Sequence, residues 1–166
     1  MNKLKRYTIA GILFVTILGT LAHFFYEWSN NNVIVGLFAP INESTWEHMK
    51  LIFFPMLLFS LIAIPRFKEE YPCITSSVLL GNIIGTALIP IMFYTYTGII
   101  GYSVLVLDIA IFIFAVICAF VITYKLMISC GIQDYKNILY FVICIIFICF
   151  IVFTFRPPSI ALFAAP

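Results

Sequence analysis

Five uninterrupted apolar runs dominate this chain, each long enough to cross the hydrocarbon of a bilayer as a helix. Crossing takes about 20 residues at the helical rise, and the runs fall near Tyr7–Tyr26, Thr45–Ile64, Ile74–Tyr94, Tyr102–Tyr124 and Ile138–Phe155. A water-soluble domain of 166 residues could not hide the apolar surface of a chain that is 64% hydrophobic and 10% charged, because charged residues ordinarily make up about a quarter of a globular protein. The runs are continuous rather than alternating, so helices are expected in place of a barrel. The predicted fold class is therefore all-α: an integral membrane bundle of five transmembrane helices forming a single domain over residues 1–166, placed as a multi-pass protein of the cell membrane.

Basic residues set the expected orientation. An odd number of spans puts the termini on opposite sides. With the amino terminus in and the carboxyl terminus out, Lys3, Lys5, Arg6, Arg66, Lys68, Lys125 and Lys136 fall inside, against Lys50 and Arg156 outside. Lys3-Leu4-Lys5-Arg6 resembles the basic start of a signal peptide. The apolar run behind it is too long, and no small-x-small cleavage site follows, so it is read as a retained anchor. The formal charge of +2 comes mostly from those inner flanks. It implies membrane lipids as surroundings and no nucleic-acid partner. None of the five cysteines falls in an outer loop, and no C-x-x-C is present. Cys73 and Cys130 lie near the inner face, and all five are expected to be packing residues outside any disulfide framework.

Several local signals add detail. Asn30-Asn31-Asn32 marks a turn before a partly apolar outer loop, Val33 to Pro40, too short to span and expected to lie at the interface or re-enter. Ser44-Thr45-Trp46-Glu47 fits a capping box opening the second span. Pro55 and Pro90 should kink the second and third spans. Ser77, Gly81 and Gly85 recur every four residues, a flat face suited to close helix contact and to helix-mediated oligomerisation. Trp28 and Trp46 read as aromatic-belt anchors.

The chemistry-bearing residues gather at one depth. His23 and Glu27 share a face at the outer end of the first span, Glu43, Glu47 and His48 flank the start of the second, and Asp108 enters the fourth from the same side. Ionisable groups are costly in lipid, so their coincidence on three helices predicts a polar site. Imidazoles and carboxylates are ordinary ligands for a divalent metal such as zinc, with His23, Glu27, His48 and Asp108 as candidate ligands. Glu47 or Glu43 would then be the catalytic general base of a metal-dependent hydrolase acting on a lipid or peptide. There is no H-E-x-x-H or H-x-x-x-H. A competing reading is an ion- or proton-coupled transporter or channel subunit, although no acid or histidine completes a path through the inner halves of the spans. A third is a non-catalytic accessory protein whose polar cluster only holds its outer end together.

Residues 23–29, His23-Phe24-Phe25-Tyr26-Glu27-Trp28-Ser29, and the later stretch Asn42-Glu43-Ser44-Thr45-Trp46-Glu47-His48 resemble a family of small multi-pass membrane proteins. That family is common in Firmicutes, has no established function and carries an N-E-S-x-W-E-H signature. Its tail reads P-P-H-I-P-L-F, whereas this chain has Pro157-Pro158-Ser159-Ile160-Ala161-Leu162-Phe163, with Ser159 in place of the histidine. If that histidine is a ligand in the family, the site here is altered. Asn42, Trp46 and His48 carry a fainter similarity to the hemolysin III and adiponectin-receptor membrane hydrolases. Those proteins also use later histidines that this chain lacks.

Overall fold

In the computed structural model, which describes residues 3–165, all regular structure is helical. The long helices are α1 (Lys3–Trp28), α3 (Thr45–Phe67), α4 (Ile74–Ile100), α5 (Leu105–Ser129) and α6 (Lys136–Phe155), with a one-turn helix α2 (Val33–Gly36) in the first loop. The five long helices have the length and apolarity to cross a membrane. They run further than the apolar stretches predicted from the sequence, because a helix need not stop where the hydrocarbon does. The fourth begins later than expected, at Leu105, which leaves Asp108 in its first turn.

Contacts at the two ends show that the helices alternate in direction. At one end Lys3 pairs with Glu70 at 2.6 Å and Cys73 is disulfide-bonded to Cys130. This joins the start of α1, the end of α3, the start of α4 and the end of α5. At the other end His23 meets His48, and Tyr96 meets Asp108. We call the latter the site end.

The disulfide departs from the sequence expectation of unbridged packing cysteines. Cys73 and Cys130 are 57 positions apart with no spacing motif. Only the packing of α4 on α5 brings their Cα atoms to 5.4 Å, within bridging range.

α1, α3, α4 and α5 form a four-helix ring around one core of buried residues that includes Val15, Ile52, Met56, Val78, Val116 and Phe120. α6 lies outside the ring against α3 and α4, where Phe53, Leu79, Ile143 and Phe150 make a second core. Small residues permit the closest approaches. A side chain at Gly81 would meet Thr123 and the Ala119 carbonyl, and one at Gly85 would meet Ala119. The Ser77–Gly81–Gly85 stripe is therefore filled by α5 of the same chain, and an oligomer built through it would have to displace that helix.

Pro55 removes the N–H that would otherwise bind the Leu51 carbonyl. That oxygen faces Gly19, where a Cβ would come within 2.4 Å. Buried Asn82 is satisfied in place: it donates to the Phe53 carbonyl at 3.2 Å and accepts from Thr86 at 3.2 Å. An unpaired amide at this depth would be costly.

Trp46 also departs from expectation. It is not a lipid-facing anchor but lies buried against Phe150 and Phe163, which holds the tail across the bundle, and its indole N–H has no hydrogen-bond partner among the described residues. Trp28 is 67% exposed, as a belt residue would be.

Candidate functional site

The loop between α1 and α3 builds the site. Asn30 and Asn31 adopt left-handed backbone, which short polar side chains tolerate, and so end α1 abruptly. The Asn32 side chain then accepts from Ile34 N at 2.9 Å and starts α2. Beyond Pro40, Asn42 accepts from Ser44 N at 2.9 Å, and the Ser44 hydroxyl accepts from Glu47 N as the cap of α3. Only half of the expected capping box forms. The Glu47 carboxylate does not return to Ser44; it accepts from Ile41 N at 3.0 Å instead.

Two polar groups arise from this short stretch. The first is closed. Lys50 Nζ donates to Glu47 at 2.7 Å and to the Gly36 carbonyl at 2.9 Å. Both charged side chains are almost wholly buried, with exposures of 0% and 2%. These contacts tie α3 to the loop before it, and Thr154 adds a side-chain hydrogen bond from α6, so Glu47 is committed to structure.

The second group is open. Glu43 extends between two imidazoles, 3.5 Å from His23 Nε2 and 3.4 Å from His48 Nε2. The available ligand atoms of His23, Glu43 and His48 all lie within 4.8 Å of one another, so the three could hold a metal ion. His48 Nδ1 lies 2.9 Å from the Ser44 carbonyl. A carbonyl oxygen only accepts, so Nδ1 carries the proton and a neutral ring turns a lone pair at Nε2 towards Glu43. The Nε2–Glu43 separation is longer than a charge-assisted hydrogen bond, which runs about 2.7–2.9 Å. Ligand atoms about 2.0–2.1 Å from a tetrahedral zinc would lie about 3.3–3.4 Å apart.

The cluster stands where two hollows meet. One is a cavity of about 540 Å³ between α1, α3, α4 and α5, lined by His23, Glu43, His48 and Asp108 at its polar part and by residues such as Ile89, Phe93, Ile109 and Phe112 elsewhere. The other is a vestibule on the loop side that includes Glu27, Tyr26, Asn42 and Ala165 with His23 and Glu43.

Of the residues marked out in the sequence, His23, Glu43 and His48 converge. Asp108 shares the cavity wall but its Oδ1 is engaged by the Tyr96 hydroxyl, which in turn accepts from Val104 N at 3.1 Å. Glu27 lines the vestibule, and Glu47 belongs to the closed pair. Tyr96 was missed as a participant, since a tyrosine on an apolar helix carries no signal that separates it from its neighbours. The pairing of Lys50 with Glu47 was legible in their spacing of three residues.

A model for a family of unknown function, DUF6512, matches residues 1–165. No curated protein and no solved structure matches the chain.

Proposed function

The chain belongs to the DUF6512 family, and we propose that this member is a membrane-embedded, metal-dependent hydrolase whose site opens on the extracytoplasmic side. The observation that carries the reading is the set of facing acceptors: Glu43 between His23 and His48, with the His48 tautomer set by the Ser44 carbonyl. An ion held by the three side chains would satisfy these groups together, and a backbone acceptor behind a liganding imidazole is the usual support of a metal site. We take the ion to be zinc or a close relative, given the nitrogen and oxygen donors.

His23, Glu43 and His48 would hold the ion beside the cavity, and the chemistry it would supply there is polarisation of a carbonyl and acidification of water. Asp108, on the same cavity wall, is then the general base, and Tyr96 is its positioning residue. In the reaction, water oxygen bonds to the acyl carbon, one water proton passes to Asp108, the acyl–heteroatom bond breaks, and that proton is delivered to the leaving group. The orientation is supported by seven of the nine basic residues being at or near the opposite end. The ligand set argued here is this chain's own.

Metal analysis of protein purified without chelator tests the reading. One equivalent of metal per chain is expected, lost in His23→Ala and His48→Ala and retained in Asp108→Asn. A protein that neither retains metal nor takes up Zn²⁺ or Co²⁺ on titration would refute it.

A further inference from the structure

We infer that the substrate is a single-chain lipid carboxylic ester with an uncharged or cationic head, entering sideways from the bilayer between α1 and α5. The inference rests on the hydrolase reading above and adds the substrate class. Three observations carry it. The deep part of the cavity is walled by hydrocarbon and aromatic side chains, with Ile89, Phe93, Ile111 and Phe112 below the His23–Glu43–His48 group. A peptide placed there would bury its backbone N–H and C=O groups without partners, at a cost of several kcal/mol each in an apolar medium. An acyl chain has nothing to satisfy, and a cavity of about 540 Å³ lies within the range of small-molecule sites, roughly 300–1,000 Å³.

Access is the second observation. Thr20 and Phe24 of α1 and Leu105 and Ile109 of α5 line the cavity and are also exposed. The cavity is therefore not closed off by packing between these two helices, the side on which we place the entrance. The third is charge. Neither the cavity nor the vestibule is lined by a lysine or arginine, while Glu27, Glu43 and Asp108 contribute carboxylates. With an ion held by Glu43, Glu27 is the carboxylate left facing a head group in the vestibule, so a phosphate or sulfate there would meet like charge and no lysine or arginine, whereas a glycerol or an amine would not. The ester carbonyl, between chain and head, falls at the seam of the two hollows, where the histidines are.

The test uses the full chain in dioleoylphosphatidylcholine nanodiscs with a monoacylglycerol carrying a photoreactive diazirine in its chain. Cross-links are mapped by mass spectrometry. Labelling is expected at Phe93, Ile111 and Phe112. It should fall by about tenfold or more in Thr20→Trp and Ile109→Trp, a loss equivalent to about 1.4 kcal/mol of binding. Leu13→Trp, exposed on α1 away from the cavity, should leave it unchanged. Labelling confined to exposed α5 residues such as Ile113 and Ile117, or indifferent to both plugging variants, would overturn the inference. Equal labelling by an alkyl phosphate of the same chain would overturn the head-group assignment. Metal content is measured on the same samples. A labelled cavity in a metal-free protein supports chain occupancy and removes the metal reading, whereas a metal-loaded protein with an unlabelled cavity does the reverse.

Discussion

Glu47 and His48 are consecutive residues on one helix, yet they belong to polar groups of opposite character. Glu47 and Lys50 sit in a sealed pocket where every contact, from 2.7 to 3.0 Å, is to another part of the same chain. His48 faces an open hollow, and its partner Glu43 stands off at 3.4 Å. Neighbouring positions on an α-helix point about 100° apart, so a single step around α3 separates a staple from a site. The difference teaches how to sort ionisable groups in a membrane bundle. Burial marks the structural pair, because two charges taken out of water survive only with complete compensation. Incomplete compensation beside a cavity marks the group with room for a ligand.

Variants on the two sides of α3 can break this comparison. The largest effect is expected for Lys50→Met, which strands Glu47 as an uncompensated buried charge and should destabilise the fold by about 3–5 kcal/mol in detergent unfolding. Replacing both partners, as Glu47→Leu with Lys50→Met, should recover most of that loss. If the single variant were nearly neutral, the closed group would not be a staple.

On the open side, His48→Ala should lower metal affinity by more than about hundredfold, since even groups that merely orient a ligand are worth about 10–100-fold. Its unfolding midpoint should stay near that of the parent, as expected for a side chain on a cavity. A collapse in stability would erase the distinction. Asp108→Asn should cost about 1 kcal/mol of stability through a weakened hydrogen bond to Tyr96 while leaving metal content intact. The smallest change is expected for Glu27→Gln in the vestibule, where exposure screens the charge and metal affinity should shift by no more than about fivefold.

The stretch from Asn42 to His48 shows how much of the site was legible. Its composition flagged the region, and the cap at Ser44 and the candidacy of His48 as a ligand could be read from residue type and spacing. Which glutamate does what could not. Glu43 and Glu47 are equivalent candidates in one dimension, and only the fold-back of the α2 loop offers Ile41 N to one of them and two imidazoles to the other. Asp108 was placed at the correct depth from its position in the chain. Its bond to Tyr96 depends on the turn after Gly101, whose left-handed φ of 91° closes α4. Cys73 and Cys130 were invisible as a pair for the same reason: contact between distant positions leaves no periodic trace.

Sequence alone determined that this chain must be a bundle of five long helices, because apolar runs of that length have no other way to satisfy their backbone in lipid. It also determined which end of the bundle would gather both histidines with Glu27, Glu43 and Asp108. The tertiary structure decided the partners: the Ile41 N–H for Glu47, α5 for the small-residue stripe, Phe163 for Trp46, and Glu43 for both histidines. Hydrophobicity is a property of each segment, whereas a partner is a property of two segments brought together, and that is settled only by packing.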